Sequence, residues 1–367
     1  MVTLAIQRQG SHLGVKNGAL LVSVGGERVQ TVRPHELTEV HLYGDVECSA
    51  AARALLLSRG VDVLLLTPRG EYRGRIAAQA GGWGERRLSQ LRWLGDDARR
   101  LGLARAVVAG KLTSQRRLLL QYRRRSPDTA SREVLTRALV GLGGALAGVP
   151  SASALDVLMG LEGLGARHYF EGLRYALRAP WVEFAGRTRR PPRDPVNAAL
   201  SFGYMLTLRR VEAALWRAGL EPDLGALHSP RRGVPALALD VLEELRVVLV
   251  DRLVLRLFNR GQLQAQDFER GPSVSEAEAL DIGAPPPAAE SSSSPQQEPV
   301  MGVWLSASGR QIFLREWFDA WRAPVPYAQG AVSSLPLEEA LTQQGLSLLR
   351  IFTGAQESYQ PLILEER

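Results

Sequence analysis

Gly81-Gly82-Trp83-Gly84 divides the chain into two parts of different periodicity, and that change decides the fold. Before it, β-branched and apolar residues come in short runs closed by Gly, Pro, Asn or Asp, at 19–24, 40–43 and 61–66. Lys16-Asn17-Gly18 supplies an Asn-Gly hairpin turn. Only 49–59 reads as helix there, with Gly60 placed to end it. After the glycines, apolar residues recur at helical spacing over roughly 88–123, 129–147, 151–178, 194–219, 237–260, 310–322 and 335–353. The expected architecture is an α+β multidomain protein. A small β-rich domain covers 1–80, a linker 81–90, and a larger all-α domain 91–367. A Pro- and Ser-rich stretch around Pro285-Pro286-Pro287 and the serines at 291–294 has almost nothing to bury, so 271–302 is expected to be a disordered insert.

The chain has 367 residues, 45% of them apolar, enough for two or three domains with a sizeable core. Its net charge is +7, carried almost entirely by arginine, since only Lys16 and Lys111 are lysines. Arginine binds phosphate bidentately, so the balance points to nucleic acid or another polyanion. Genomic base composition would account for arginine over lysine, but not for the net charge. Cys48 is the one cysteine, which excludes an intrachain disulfide and a Cys-based zinc cluster. No apolar run approaches the roughly 20 residues of a membrane span, and the N-terminus lacks a secretory core. A soluble, cytoplasmic protein with no membrane partner is expected.

Three places carry candidate chemistry. On the predicted 237–260 helix, Asp240 and Glu243 share a face, and Glu244 and Asp251 add further charge. A bound cation would turn that repulsion into affinity; a solvated acidic face is the plain alternative. His228 stands in the loop Gly225-Ala226-Leu227-His228-Ser229-Pro230 just before this helix. One His with carboxylates suits Mn²⁺ or Mg²⁺, and no HExxH is present for zinc. Glu162 is flanked by Gly160, Gly163 and Gly165 on a predicted helix. Close approach of a metal or DNA explains such glycines, and so does tight helix packing. Neither this segment nor Gly141-Leu142-Gly143-Gly144 has the spacing or preceding strand of a dinucleotide site.

Basic residues cluster twice. Between Arg99 and Arg132 there are nine arginines and Lys111 against one acid, Asp128. Arg167, Arg174, Arg178, Arg187, Arg189, Arg190 and Arg193 follow Glu162, interleaved with Tyr169, Phe170 and Tyr175. Arg116, Arg117, Arg123, Arg124, Arg167, Arg174, Arg189 and Arg190 are the candidate phosphate contacts.

Four stretches, Leu158-Met159-Gly160-Leu161-Glu162-Gly163 with Arg167-His168-Tyr169-Phe170, Arg190-Pro191-Pro192-Arg193-Asp194-Pro195-Val196-Asn197 with Ser201-Phe202-Gly203-Tyr204, Leu227-His228-Ser229-Pro230, and Leu237-Ala238-Leu239-Asp240-Val241-Leu242-Glu243-Glu244, occur in a telling order. Together they resemble the CRISPR-associated spacer-acquisition integrase family, the first of the universal Cas proteins. The resemblance covers nearly the whole chain. The chain departs from it at Leu245-Arg246-Val247, where the family motif often reads Phe-Arg-Pro. The resemblance implies a β-sandwich-like N-terminal domain and an α-helical catalytic domain. It implies a homodimer assembled with a small ferredoxin-like Cas partner on double-stranded DNA, namely spacer precursor and CRISPR repeat. It implies Mg²⁺ or Mn²⁺ held by Glu162, His228 and Glu243, with Asp240 as a further catalytic acid. The implied reaction is metal-dependent endonuclease and integrase chemistry by transesterification. A metal-dependent nuclease without integration and a non-catalytic DNA-binding scaffold share these residues.

Overall fold

The computed structural model describes residues 2–68, 72–77, 83–188, 191–272, 301–327 and 334–365. The chain folds into two compact units, one built on residues 1–81 and the other on residues 82–274 and 279–367.

The first unit is two four-stranded sheets around one core. Its strands are β1 (Val2–Ile6), β2 (Ser11–Lys16), β3 (Ala19–Val24), β4 (Glu27–Val32), β5 (Leu37–Tyr43), β6 (Val46–Cys48), β7 (Asp62–Leu66) and β8 (Tyr72–Ile76). One sheet has the order β1-β5-β7-β8 and the other β4-β3-β2-β6. Asn17 and Gly18 both take positive φ, 53° and 74°, as the two-residue turn between β2 and β3 requires. Helix α1 (Ala50–Ser58) is capped by Ser49, whose hydroxyl accepts from Ala52 N, and leads into β7. Leu4, Leu13, Leu20, Val40, Leu42, Leu56 and Val63, drawn from both sheets and α1, form the shared core. That is a sandwich-like arrangement.

The second unit is mainly helical. It holds α2 (Gly84–Leu94), α3 (Asp97–Arg124), α4 (Thr129–Gly148), α5 (Leu155–Ala176), α6 (Pro195–Ala218), α7 (Ala236–Leu245), α8 (Arg252–Asn259), α9 (Ala307–Arg322) and α10 (Leu337–Phe352). Asp96, Asp128 and Asp194 cap α3, α4 and α6 through their carboxylates, as short polar residues do at N-caps. Helices α3, α4 and α5 pack on one another, and α7 packs against both α3 and α6. Glycine sets some of these distances. A Cβ on Gly165 would stand 2.3 Å from Leu112 of α3, and one on Gly172 would stand 2.5 Å from Leu119. Gly160 and Gly163 face open space. Tight packing and an open surface beside Glu162 are therefore both present, at different glycines.

Five expectations need correction. The linker does not extend over 81–90, because α2 begins at Gly84, while Gly81 and Gly82 lie outside the described residues. The helix read over 88–123 is two helices, broken at Gly95 where Asp96 starts a new cap. The second unit is not all-α: β9 (Phe268–Pro272) pairs antiparallel with β10 (Met301–Leu305), and β11 (Pro324–Pro326) pairs with β12 (Ser334–Pro336). Strands β9 and β10 also remove both ends of the 271–302 insert, whose interior, 273–300, lies outside the described residues. Finally, Thr129–Ser151 is long and apolar enough to cross a membrane, contrary to the sequence reading. It packs against α3 and α5 through Val134, Leu135, Ala138, Leu139, Leu142 and Ala145.

Candidate active site

Helix α7 runs without interruption through a π-helical stretch, Arg246–Asp251, into α8. Such turns cluster at functional sites because they shift the register of the side chains that follow. Every residue from Ala236 to Asp251 is buried. A solvated acidic face is thereby excluded, and each acid must find a partner inside the protein.

Glu243 meets two cations. Its Oε2 lies 2.6 Å from Lys111 Nζ on α3 and 3.0 Å from Arg246 Nε one turn on. The same Lys111 ammonium donates to Oε1 of Glu162 on α5. Three helices thus bring Glu162 and Glu243 to a single ammonium. Burial pushes the Glu243 carboxyl up, but Arg246, Lys111 and His228 outweigh it and hold it down at about 2. Behind Glu243, the Arg246 guanidinium sits 4.7 Å over the Tyr204 ring. The Tyr204 and Tyr169 hydroxyls both donate to buried Asp251, Tyr169 at 2.6 Å.

Asp240 has a different role. Its Oδ2 accepts from Ala226 N at 2.6 Å and Leu227 N at 3.1 Å. Its Oδ1 accepts from His228 N at 3.0 Å and lies 2.7 Å from His228 Nδ1. One carboxylate therefore folds the loop and orients the imidazole. Gly225 permits the loop's close approach, since a Cβ there would lie 2.6 Å from the Ala236 carbonyl carbon. With Nδ1–H directed at Asp240, the neutral ring leaves the Nε2 lone pair available. Burial pushes the His228 pKa down, but Asp240 and Glu243 more than offset this and leave it raised. Both oxygens of Asp240, expected among the catalytic residues, are taken up by the loop.

Glu244 turns away from Glu243 altogether. It accepts from the Tyr359 hydroxyl, from Gln344 Nε2 at 2.9 Å and from Leu362 N at 2.7 Å. It anchors the C-terminal segment, which continues along α3 with Leu364 N donating to Ser114 and Arg117 donating to Leu364 O. Burial outweighs these hydrogen bonds and pushes its carboxyl up from 4.5 to about 7. The folded chain therefore holds this proton more tightly than the unfolded chain. The resulting stability is complete below about pH 4.5 and is lost as pH rises through 7, by on the order of 3 kcal/mol. In urea unfolding from pH 5 to 8, the wild type is expected to lose stability relative to Glu244→Gln; parallel curves would contradict this assignment.

A family model described as CRISPR associated protein Cas1 matches residues 4–279. Over 268 residues the chain is 43% identical to a CRISPR-associated endonuclease Cas1 of Thermus thermophilus, covering 73% of this chain and 79% of the relative. The chain belongs to the Cas1 family. Two solved structures similar in fold are a casposase bound to integration product and a Cas6-RT-Cas1–Cas2 complex. The casposase has TM-score 0.78 and 19% identity, over 98% of this chain and 93% of that one. The complex has TM-score 0.77 and 23% identity, over 99% of this chain and 36% of that one.

In this Cas1-family chain, no group of three His, Cys, Asp or Glu among the described residues is arranged to hold a metal ion. The donor types present are nevertheless those that a hard divalent cation takes. Two carboxylates and a free imidazole nitrogen suit Mg²⁺ or Mn²⁺, and an ammonium already stands between the carboxylates as a cation would. Of the candidate phosphate contacts, Arg116, Arg124, Arg167 and Arg174 are exposed. Arg167 and Arg174 share the exposed face of α5 with Gly160 and Gly163, whereas Glu162 points to the other side of the helix, towards Lys111 of α3. Arg123 is half-buried, and Arg117 is bonded to the C-terminal segment. Arg189 and Arg190 lie outside the described residues. Sequence reasoning missed Lys111 and Arg246. The available signal was a lone lysine among arginines, and a basic residue one turn beyond Glu243.

Proposed function

We propose that the chain is a divalent-metal-dependent DNA endonuclease and integrase that inserts spacer DNA into a CRISPR repeat by transesterification. The observation that carries this reading is the meeting of Glu162 and Glu243 at one buried cationic position, with His228 held by Asp240 at the same acidic centre. Mg²⁺ or Mn²⁺ bound by Glu162, His228 and Glu243 would supply Lewis-acid polarisation of the target phosphate. Arg246 fixes the Glu243 carboxylate, and Asp240 fixes the His228 tautomer. Arg167 and Arg174 hold backbone phosphates along the outer face of α5. The 3′-hydroxyl of the spacer forms a new bond to the repeat phosphorus, the old P–O3′ bond breaks, and the departing 3′-oxygen takes up a proton. The reading includes a homodimer and a small ferredoxin-like partner; that there is a Cas partner at all draws support from the Cas1–Cas2 assembly named for the similar complex.

The test uses a spacer precursor and a supercoiled repeat-bearing plasmid. Joined product is expected with Mg²⁺ or Mn²⁺ and none after chelation. Cutting without joining would reduce the reading to a nuclease, and binding alone would leave a scaffold. Duplex affinity is also expected to fall steeply with salt, with Arg167→Ala and Arg174→Ala each lowering the slope of log affinity against log salt by about 1. Slopes unchanged in both variants would remove α5 from the phosphate surface.

A further inference from the structure

Glu162 and Glu243 are joined by a lysine in a chain whose basic residues are almost all arginine. Of 45 basic Lys and Arg residues, only Lys16 and Lys111 are lysines. Lys111 lies on the buried face of α3 with Val107, Val108 and Leu112, its side chain 6% exposed. Its ammonium has no hydrogen-bond or ion-pair partner among the described residues other than these two carboxylates. Residue type matters here. A guanidinium is a broad planar fork that prefers one carboxylate, held bidentately. An ammonium is a compact point charge that fits a gap between two carboxylates from different helices, which is also the gap a small divalent cation fits.

We infer that Lys111 is the resident cation of the metal-free centre: its ammonium keeps Glu162 and Glu243 together as a ready ligand pair and gives up that place when a divalent cation binds. The inference rests on the proposed metal centre. Arg246 is not the group displaced, because it is also stacked on Tyr204 and belongs to the same helix as Glu243. A buried carboxylate and a half-buried one without a counter-charge repel, so Lys111 stabilises the metal-free fold. The same ammonium competes with the metal. Lys111 is thus a positioning residue whose loss weakens the empty protein and strengthens metal binding, the reverse of what loss of a supporting group does.

The chain's two lysines make the test direct. Full-length protein labelled at lysine ¹³Cε gives two lysine signals, with Lys16 as internal reference. Titration with Mg²⁺ is expected to move the Lys111 signal saturably and to leave Lys16 in place. In Lys111→Met, Mn²⁺ affinity read by electron paramagnetic resonance is expected to be roughly tenfold tighter, the scale on which groups beside a ligand set move metal affinity. The metal-free Tm of this variant falls, and Mn²⁺ closes the gap to wild type. A Lys111 signal that stays fixed while Mg²⁺ raises the wild-type Tm would overturn the inference, as would Mn²⁺ affinity in Lys111→Met equal to or weaker than wild type. Absence of metal binding in both proteins would instead be failure of the metal-centre reading, and the inference would fall with it.

Discussion

Glu243→Gln is expected to lower strand joining by about a thousandfold, with duplex binding almost unchanged. The substitution keeps the shape of the side chain and an oxygen acceptor for Lys111 and Arg246, but removes the charge that a divalent cation requires. Truncation to alanine would be less informative. It would take from buried Arg246 its carboxylate and from Lys111 one of its two, a loss of about 3–5 kcal/mol in folding that confuses stability with chemistry. Glu162→Gln is expected to act in the same direction, since its carboxylate shares the Lys111 ammonium. Joining is measured on a repeat-bearing plasmid, and binding by fluorescence anisotropy on a labelled duplex. Joining at wild-type rates in both variants would contradict the metal-centre reading.

Asp240→Ala is expected to show a large loss of stability, about 3–5 kcal/mol by urea unfolding, together with a roughly 10–100-fold loss of joining. The stability loss comes from the loop: Ala226 N, Leu227 N and His228 N all donate to this carboxylate and would be left without an acceptor in the interior. The activity loss comes from the ring, whose Nδ1 no longer has a fixed partner. Asparagine is expected to recover only part of either. Both oxygens receive backbone N–H donors, so its NH₂ group must face one of them wherever it turns. Wild-type stability in Asp240→Ala would contradict the role assigned here.

The division of the chain at the glycines was readable because strand and helix periodicities differ over many residues, and Asn17-Gly18 because its positive φ values select for those residues. Glu162, His228 and Glu243 could be singled out only because the stretches that carry them, taken together, resemble one family; each alone reads as a structural residue. Asp240 and Glu244 could not be assigned from sequence, since their roles depend on which buried donors reach them. Those of Glu244 come from Gln344, Tyr359 and Leu362, a hundred or more residues downstream. Lys111 was hidden by its neighbours. In a run of arginines it reads as one more phosphate contact, and only the packing of α3 against α5 and α7 turns it inward. Arg117 is hidden in the same way, because its partner is a carbonyl at the far end of the chain. The β9–β10 pair escaped notice because a long stretch separates two strands that read as the edges of an insert.

Anomalous diffraction from crystals grown with Mn²⁺ tests the central claim most directly. The account predicts one strong peak bordered by Glu162, His228 Nε2 and Glu243, with the Lys111 ammonium moved off its present place between the carboxylates. A peak elsewhere, or no peak at a Mn²⁺ concentration that sustains strand joining, would contradict it.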